Sequence, residues 1–208
     1  GDSIVRLEQD AGGVNVAFEH GSDRRFDLVI GADGLHSNVR RLAFGPQERC
    51  ETKLGYGVAA FEAVGYRPRD EGVYVTHSVP GRQVARFALH HDRTLFLFIF
   101  AGENDAGPDV AAQKAILRDK FADVGWECPQ ILEALAACDD LYFDRVSQIR
   151  LDRWSRGRIA LVGDAASCIS LVGGQGSALA MTQAYVLAGE LAAAHGQYDE
   201  AFARYEAL

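Results

Sequence analysis

Polar and apolar positions alternate along the chain in two distinct patterns. Residues 3–9 and 14–19 alternate with a period near two around a glycine-containing turn, which predicts a β-hairpin. Unbroken apolar runs at 28–30 and 159–162 each stop at a glycine closely followed by an acid, as expected for buried parallel strands. Between them, four runs rich in Val, Phe and Tyr predict an antiparallel sheet, at residues 56–66, 72–79, 84–90 and 94–101.

Helical spacing appears in the second half of the chain. Asp109 is placed to cap a helix whose apolar residues recur every three or four positions up to Phe121. A second helix is predicted from about residue 129 to 138. Residues 177–194 are almost entirely Ala, Leu, Val, Met and Gly, and such an all-round apolar pattern predicts a helix buried on every side.

The order of these elements predicts the fold class, α/β plus α+β. A partial Rossmann-like domain, residues 1–50 and 141–208, holds the two strand–glycine–acid segments and is interrupted by an antiparallel-sheet domain, residues 51–140. Ligands bind open α/β sheets at the carboxyl ends of the strands, so Asp33 and Asp164 are expected at that edge. Phenylalanines at strand spacing are expected to form either core or the wall of a cavity for a flat apolar substrate, namely Phe87, Phe96, Phe98 and Phe100.

Composition narrows the possible functions. Hydrophobic residues make up 48% of the 208 positions and charged residues 24%, an ordinary globular balance. The formal charge of −8 argues against binding to nucleic acid or to an anionic membrane, because both need a basic face. The longest apolar run, residues 95–101, is far shorter than the roughly 20 residues of a membrane span, and no charged-then-apolar leader is visible. We therefore expect a cytoplasmic protein that does not contact a membrane.

The four cysteines argue for reduced thiols. They form no C-x-x-C pair and no histidine cluster lies beside them, so we expect neither a disulfide framework nor a metal site; they are Cys50, Cys128, Cys138 and Cys168.

Two motifs carry the candidate chemistry. The first is DLVIGADGLHSNVR at residues 27–40, and the second is GRIALVGDAA at 157–166, followed by GGQG at 173–176. Read separately, each is only a strand with a turn. Together, in this order, they resemble the two downstream motifs of the FAD-dependent aromatic hydroxylases, the flavoprotein monooxygenases similar to para-hydroxybenzoate hydroxylase. The resemblance covers nearly the whole chain, because the inserted sheet matches the substrate domain of that family.

The resemblance implies FAD as cofactor and NAD(P)H as co-substrate. It implies insertion of one oxygen atom of O₂ into a small organic substrate, aromatic or polycyclic. No catalytic residue is identified, since the cofactor carries the chemistry in such enzymes. The residues implied in cofactor binding are Gly31, Asp33, Gly34, Arg40, Gly163, Asp164, Gly174, Gln175, Gly176 and Ser177.

The residue types suit these implied roles. The carboxylate of Asp164 can accept hydrogen bonds from ribose or ribityl hydroxyls. Glycines let backbone N–H groups approach a pyrophosphate or a flavin without an intervening Cβ. The N-terminus of the helix that follows Gly176 is expected to face the flavin ring edge that gains negative charge on reduction. Asp33 and Gly34 are expected to form the floor under the pyrophosphate, and Arg40 to anchor the next turn.

The sequence departs from the family in two ways. The family opens with a strand and a G-x-G-x-x-G turn, and the nearest match here, residues 55–60, is better interpreted as the first strand of the inserted sheet. We therefore expect a fragment of a larger enzyme, completed by a separate N-terminal segment. A histidine and a proline common near the second motif are replaced by Ser167 and Leu171-Val172. Two alternatives stay open: a related flavin-dependent reductase or dehydrogenase, and a non-catalytic remnant of the fold.

Overall fold

The computed structural model describes residues 1–102 and 107–207. Its strands are β1 (Ile4–Asp10), β2 (Gly13–Phe18), β3 (Arg24–Phe26), β4 (Val29–Gly31), β5 (Glu51–Val64), β6 (Val75–Val79), β7 (Arg82–Ala88), β8 (Arg93–Ala101), β9 (Tyr142–Ile149), β10 (Ser155–Arg156) and β11 (Ile159–Leu161). Its helices are α1 (Asn38–Phe44), α2 (Val110–Phe121), α3 (Cys128–Ala137), α4 (Gly176–Ala193) and α5 (Tyr198–Glu206).

The chain divides into two compact units. Unit 1 consists of Gly1–Thr52 and Ser147–Leu208, and unit 2 is Lys53–Val146. An α/β unit interrupted in sequence by an antiparallel sheet is the predicted fold class, which is confirmed. The assignment of a FAD-binding role to one domain and a substrate role to the other stays a prediction.

Two small sheets form the strand layer of unit 1. The predicted hairpin is confirmed: β1 pairs antiparallel with β2, and β3 adds a third strand on the far side of β2. In the second sheet the order is β10-β11-β4, with β11 parallel to β4 and Leu161 opposite Gly31. The amide of Val162 donates to the carbonyl of Gly31 at 2.9 Å. The predicted apolar strands therefore end side by side, and the loops that follow them start at the same sheet edge.

Helix α5, near the C-terminal end of the chain, is hydrogen-bonded to the β10-β11-β4 sheet. The Tyr205 hydroxyl is buried and donates to the carbonyl of Leu161 at 2.9 Å. One carboxylate oxygen of Glu206 accepts from the backbone amides of Trp154 and Ser155, at 2.7 and 2.6 Å. These bonds satisfy polar groups beside a core that contains Phe202, so α5 holds β10 and β11 in place.

Helix α4 is not buried in the way its sequence predicts. Among its described residues only Leu187 is buried, while Met181 is 68% and Tyr185 82% exposed. The prediction of burial on every side is wrong for this chain, because α5 and the end of the β10–β11–β4 sheet cover only part of the helix surface. In the described part of the chain no helix is both long and apolar enough to cross a membrane.

Unit 2 is an antiparallel sheet with helices on one face. Its strand order is β6-β7-β8-β5-β9, and the predicted run of antiparallel strands is confirmed. Phe96, Phe98 and Phe100 are completely buried in one core with side chains of α2 and α3. Of the two roles expected for these phenylalanines, they take the core role. Phe87, on the other face of the sheet, is half-buried beside the ring of Tyr74.

Replacing Gly31 by alanine should destabilise unit 1. A Cβ at this position lies 2.7 Å from Leu161 Cδ2 and 2.9 Å from Val39 Cβ, so β4, β11 and α1 must move apart. Such overpacking costs about 1–3 kcal/mol, which chemical denaturation of Gly31→Ala measures. Gly189→Ala in α4 is the matched control, since its Cβ meets nothing within 4 Å. It should leave the free energy of unfolding unchanged or raise it by up to about 1 kcal/mol. Equal stability of Gly31→Ala and wild type would contradict this packing.

Candidate functional site

A cleft opens at the carboxyl ends of β4 and β11, within unit 1. Its volume is about 410 Å³. Apolar side chains of α4, among them Met181, supply much of its wall. The predicted site residues that line it are Gly34, Gly163, Asp164, Gly176 and Ser177. The structure thus brings residues of both motifs together, as expected from strands that end at one edge.

Asp164 projects from a tight turn directly after β11. Gly163 has a φ of 63°, and its carbonyl accepts from the amides of Ala166 and Ser167, both at 2.9 Å, which closes the turn. The neighbouring Cys168 thiol donates to the carbonyl of Ser147 at 3.8 Å, and burial raises its pKa, so that it stays a neutral group. None of the hydrogen bonds among the described residues brings a backbone N–H to Asp164. Its oxygens therefore retain acceptor capacity toward the cleft.

The glycine-rich turn leads into the N-terminus of α4. Gly174 lies in the left-handed region at φ 64°, with no atom within 4 Å of its Cβ position, so its conformation explains the glycine. Gln175 is the N-cap residue and its side chain makes no capping bond. The first amides of the helix, from Gly176 and Ser177, have no partner within the helix and carry its positive end. Because both residues line the cleft, an anionic group is favoured there.

Asp33 has a different environment from Asp164. One of its carboxylate oxygens accepts from the Ser37 hydroxyl, and the other accepts from the amide of Val39 at 2.9 Å. Ser37 in turn caps α1 by accepting from the amide of Arg40 at 2.9 Å. The side chain of Asp33 thus fixes the turn before α1. Gly34 beside it, with φ 77°, presents backbone to the cleft.

The buried side chain of Arg40 connects the two sequence motifs. Its guanidinium donates to the carbonyls of Ala165 and Leu35, at 3.0 and 2.6 Å, and to Gln47 Oε1 at 2.9 Å. It therefore ties the loop after β4 to the loop after β11. Arg40 and Gly31 support the cleft without lining it, and a direct contact of either with a cofactor stays a prediction.

One residue of this site was not singled out by the sequence. Gln183 of α4 reaches the turn of Asp164, where its Oε1 accepts from the Gly163 amide and its Nε2 donates to Ser167 Oγ, both at 2.6 Å. The available signal was the single side-chain amide of a largely apolar helix. In residues 1–102 and 107–207 no group of three or more His, Cys, Asp and Glu side chains could hold a metal ion.

The cleft has the chemical features that FAD needs. A carboxylate with unused acceptor capacity suits a hydroxyl-bearing chain, and a helix N-terminus suits a phosphate or an electron-rich ring edge. The apolar side chains of α4 provide a wall against which a flat ring can lie. The residues present therefore fit the cofactor implied by the motifs.

Comparison with known proteins agrees with this assignment. The family model described as FAD binding domain matches residues 2–206. An uncharacterized protein of Mycobacterium tuberculosis is 44% identical, over 99% of this chain and 56% of its own length. A flavin-dependent monooxygenase of Legionella longbeachae is 38% identical, over 99% of this chain and 54% of its own length.

Solved structures show the same likeness. The crystal structure of the tetracycline destructase Tet(51) matches all of this chain and 57% of that protein, with a TM-score of 0.86 and 36% identity. Klebsiella pneumoniae HpxO, complexed with FAD and uric acid, matches all of this chain and 53% of that protein, with a TM-score of 0.76 and 28% identity. The chain spans about half the length of the relatives it matches. The site geometry and the matched residues lead to one conclusion: this chain belongs to the FAD binding domain family.

Proposed function

We propose that this chain is part of an FAD-dependent monooxygenase that inserts one oxygen atom of O₂ into an organic substrate at the expense of NAD(P)H. The observation that carries the proposal is the Asp164 carboxylate, which lines a cleft beside the N-terminus of α4 and receives no backbone N–H among the described residues. Relatives named flavin-dependent monooxygenase support the reaction class. A destructase of tetracycline and a protein holding uric acid support an aromatic or polycyclic substrate.

Each residue of the cleft has a role in this proposal. Asp164 accepts hydrogen bonds from sugar-alcohol hydroxyls, while the amides of Gly176 and Ser177 stabilise negative charge at the end of α4. Gly34 lets backbone approach the cofactor without a Cβ. The apolar side chains of α4, among them Met181, give a flat ring a surface to pack against. Bound FAD supplies the electron transfer and oxygen activation that no side chain here can provide.

The proposal includes a further polypeptide segment that covers α4 and completes the FAD site. An 18-residue helix of apolar composition that leaves Met181 and Tyr185 exposed has a surface suited to a protein neighbour. Strand β4 lies at the end of its sheet, and Ile30 on it is 38% exposed. The relatives are nearly twice as long as this chain, which leaves room for the predicted G-x-G-x-x-G segment. No nucleic acid or membrane partner is proposed, and a cytoplasmic location stays a prediction.

A chimera tests the proposal. This chain replaces the matched region of the Mycobacterium tuberculosis relative, and the chimera is compared with the 208-residue chain alone. We expect the chimera to bind FAD, to oxidise NAD(P)H and to consume O₂ when an aromatic or polycyclic substrate is present, with an oxygenated product seen by mass spectrometry. The chain alone should bind FAD weakly, since the proposed further segment completes the site.

Each alternative has its own signature in this experiment. Turnover of NAD(P)H and substrate without an oxygenated product would favour a reductase or dehydrogenase. A colourless chimera that folds would favour a non-catalytic remnant. Stoichiometric FAD on the isolated chain would contradict the need for a further segment.

Asp164→Ala should weaken FAD binding without harming the fold. Hydrogen bonds to a charged group contribute about 1.5–3 kcal/mol, so the Kd of FAD in the chimera should rise roughly tenfold to more than a hundredfold. The melting temperature without cofactor should change little, because Asp164 receives no backbone N–H among the described residues. Titration calorimetry and thermal melting measure the two quantities.

Asp33→Ala is the matched control for that prediction. Both oxygens of Asp33 are engaged by Ser37 and Val39, so its loss should lower the melting temperature of the cofactor-free protein. The assignment of Asp164 fails if its alanine variant keeps the wild-type FAD affinity and melts at a lower temperature.

A further inference from the structure

We propose that Gln183 is a positioning residue that orients Asp164 toward the cofactor by bridging both ends of the turn that carries it. The turn, residues 163–167, begins at the Gly163 amide and ends at Ser167, and Gln183 hydrogen-bonds to both, each at 2.6 Å. The inference rests on the proposed function, because it concerns how tightly the site holds FAD.

An amide is well suited to this bridge. The Gly163 N–H is the first donor of a short 3₁₀ turn and has no partner within that turn, so it needs an acceptor from elsewhere. The same amide plane carries an N–H₂ group that donates to the Ser167 hydroxyl oxygen. A purely apolar side chain at position 183 offers neither bond, and it leaves the part-buried Gly163 N–H without its acceptor.

The turn has supports other than Gln183. The Gly163 carbonyl accepts from the amides of Ala166 and Ser167, and Arg40 donates to the carbonyl of Ala165. The turn should therefore persist when Gln183 is replaced. What is lost is the link to α4, the same helix whose first amides line the cleft. Gln183 thus fixes the carboxylate relative to that helix N-terminus, which a cofactor must contact at the same time.

Hydrogen exchange tests the bridge in the 208-residue chain itself. Gln183→Leu removes both bonds and replaces one good helix former by another, so the Gly163 amide should exchange faster than in wild type. Thr182→Val is the control, because the Thr182 hydroxyl donates to Ala178 within α4 and does not reach the turn. Unchanged Gly163 exchange in Gln183→Leu would overturn the proposal.

The positioning role is tested by measuring the FAD affinity of variants made in the chimera. Gln183→Leu should raise the Kd of FAD about fivefold to thirtyfold, which corresponds to one or two uncharged hydrogen bonds at about 1 kcal/mol each, and Thr182→Val should not change it. Ser167→Ala, which removes one end of the bridge only, should give a smaller rise. In an Asp164→Ala background, Gln183→Leu should have no further effect, because Gln183 acts through that carboxylate.

The outcomes separate this inference from the proposed function. If wild-type chimera binds no FAD, the proposed function fails. If wild type binds FAD and Gln183→Leu gives the same affinity, the positioning role fails alone. An equal loss with and without Asp164 would also overturn it, since Gln183 would then act by another route. A purely structural role would lower the melting temperature of cofactor-free Gln183→Leu while leaving FAD affinity unchanged.

Discussion

The pairing of β4 with β11 is the contact on which the candidate site depends. These two short strands run parallel with Leu161 opposite Gly31, so two segments more than a hundred residues apart end at one edge. The close approach of β4, β11 and α1 requires a glycine at position 31, because a Cβ there collides with Leu161 and Val39. Arg40 then locks the two following loops by bonding to carbonyls of both. A packing constraint thus sets the geometry before any ligand is considered.

Hydrophobic periodicity and the turn residues that bound each run were sufficient to predict most of the helices and strands. The hairpin, the two short parallel strands and the antiparallel sheet follow from alternation and glycine-bounded runs, which depend on local chemistry, whereas the expected burial of β4 fails at Ile30, which is exposed on the edge of the sheet. What the sequence left undecided or predicted wrongly depends on neighbours in space. The alternation of Phe96, Phe98 and Phe100 shows that they share a face, but the packing of α2 and α3 decides that this face is core. The predicted burial of α4 failed because burial depends on which elements surround a helix.

The residues of the candidate site were likewise predictable only where a local sequence pattern identifies them. The glycines and acids at the strand ends identified the cleft, and Gly34, Gly163, Asp164, Gly176 and Ser177 line it. The sequence did not predict a role for Gln183, because its partners, Gly163 and Ser167, lie 20 and 16 residues away and contact it only in the folded chain. A single amide within an apolar helix is a weak signal, although a polar group at such a position needs a partner.

The two aspartates show how similar sequence contexts give different chemistry. Each follows a short strand and a glycine, but the carboxylate of Asp33 is fully engaged in the turn that starts α1, since both of its oxygens accept hydrogen bonds there. Asp164 lies within a turn that is closed by backbone bonds at Gly163 and supported by Gln183, so its oxygens are not needed for local structure. The acceptor capacity left at Asp164 is available to a ligand because other groups hold its turn. The first motif therefore contributes mainly architecture, and the second contributes the binding group.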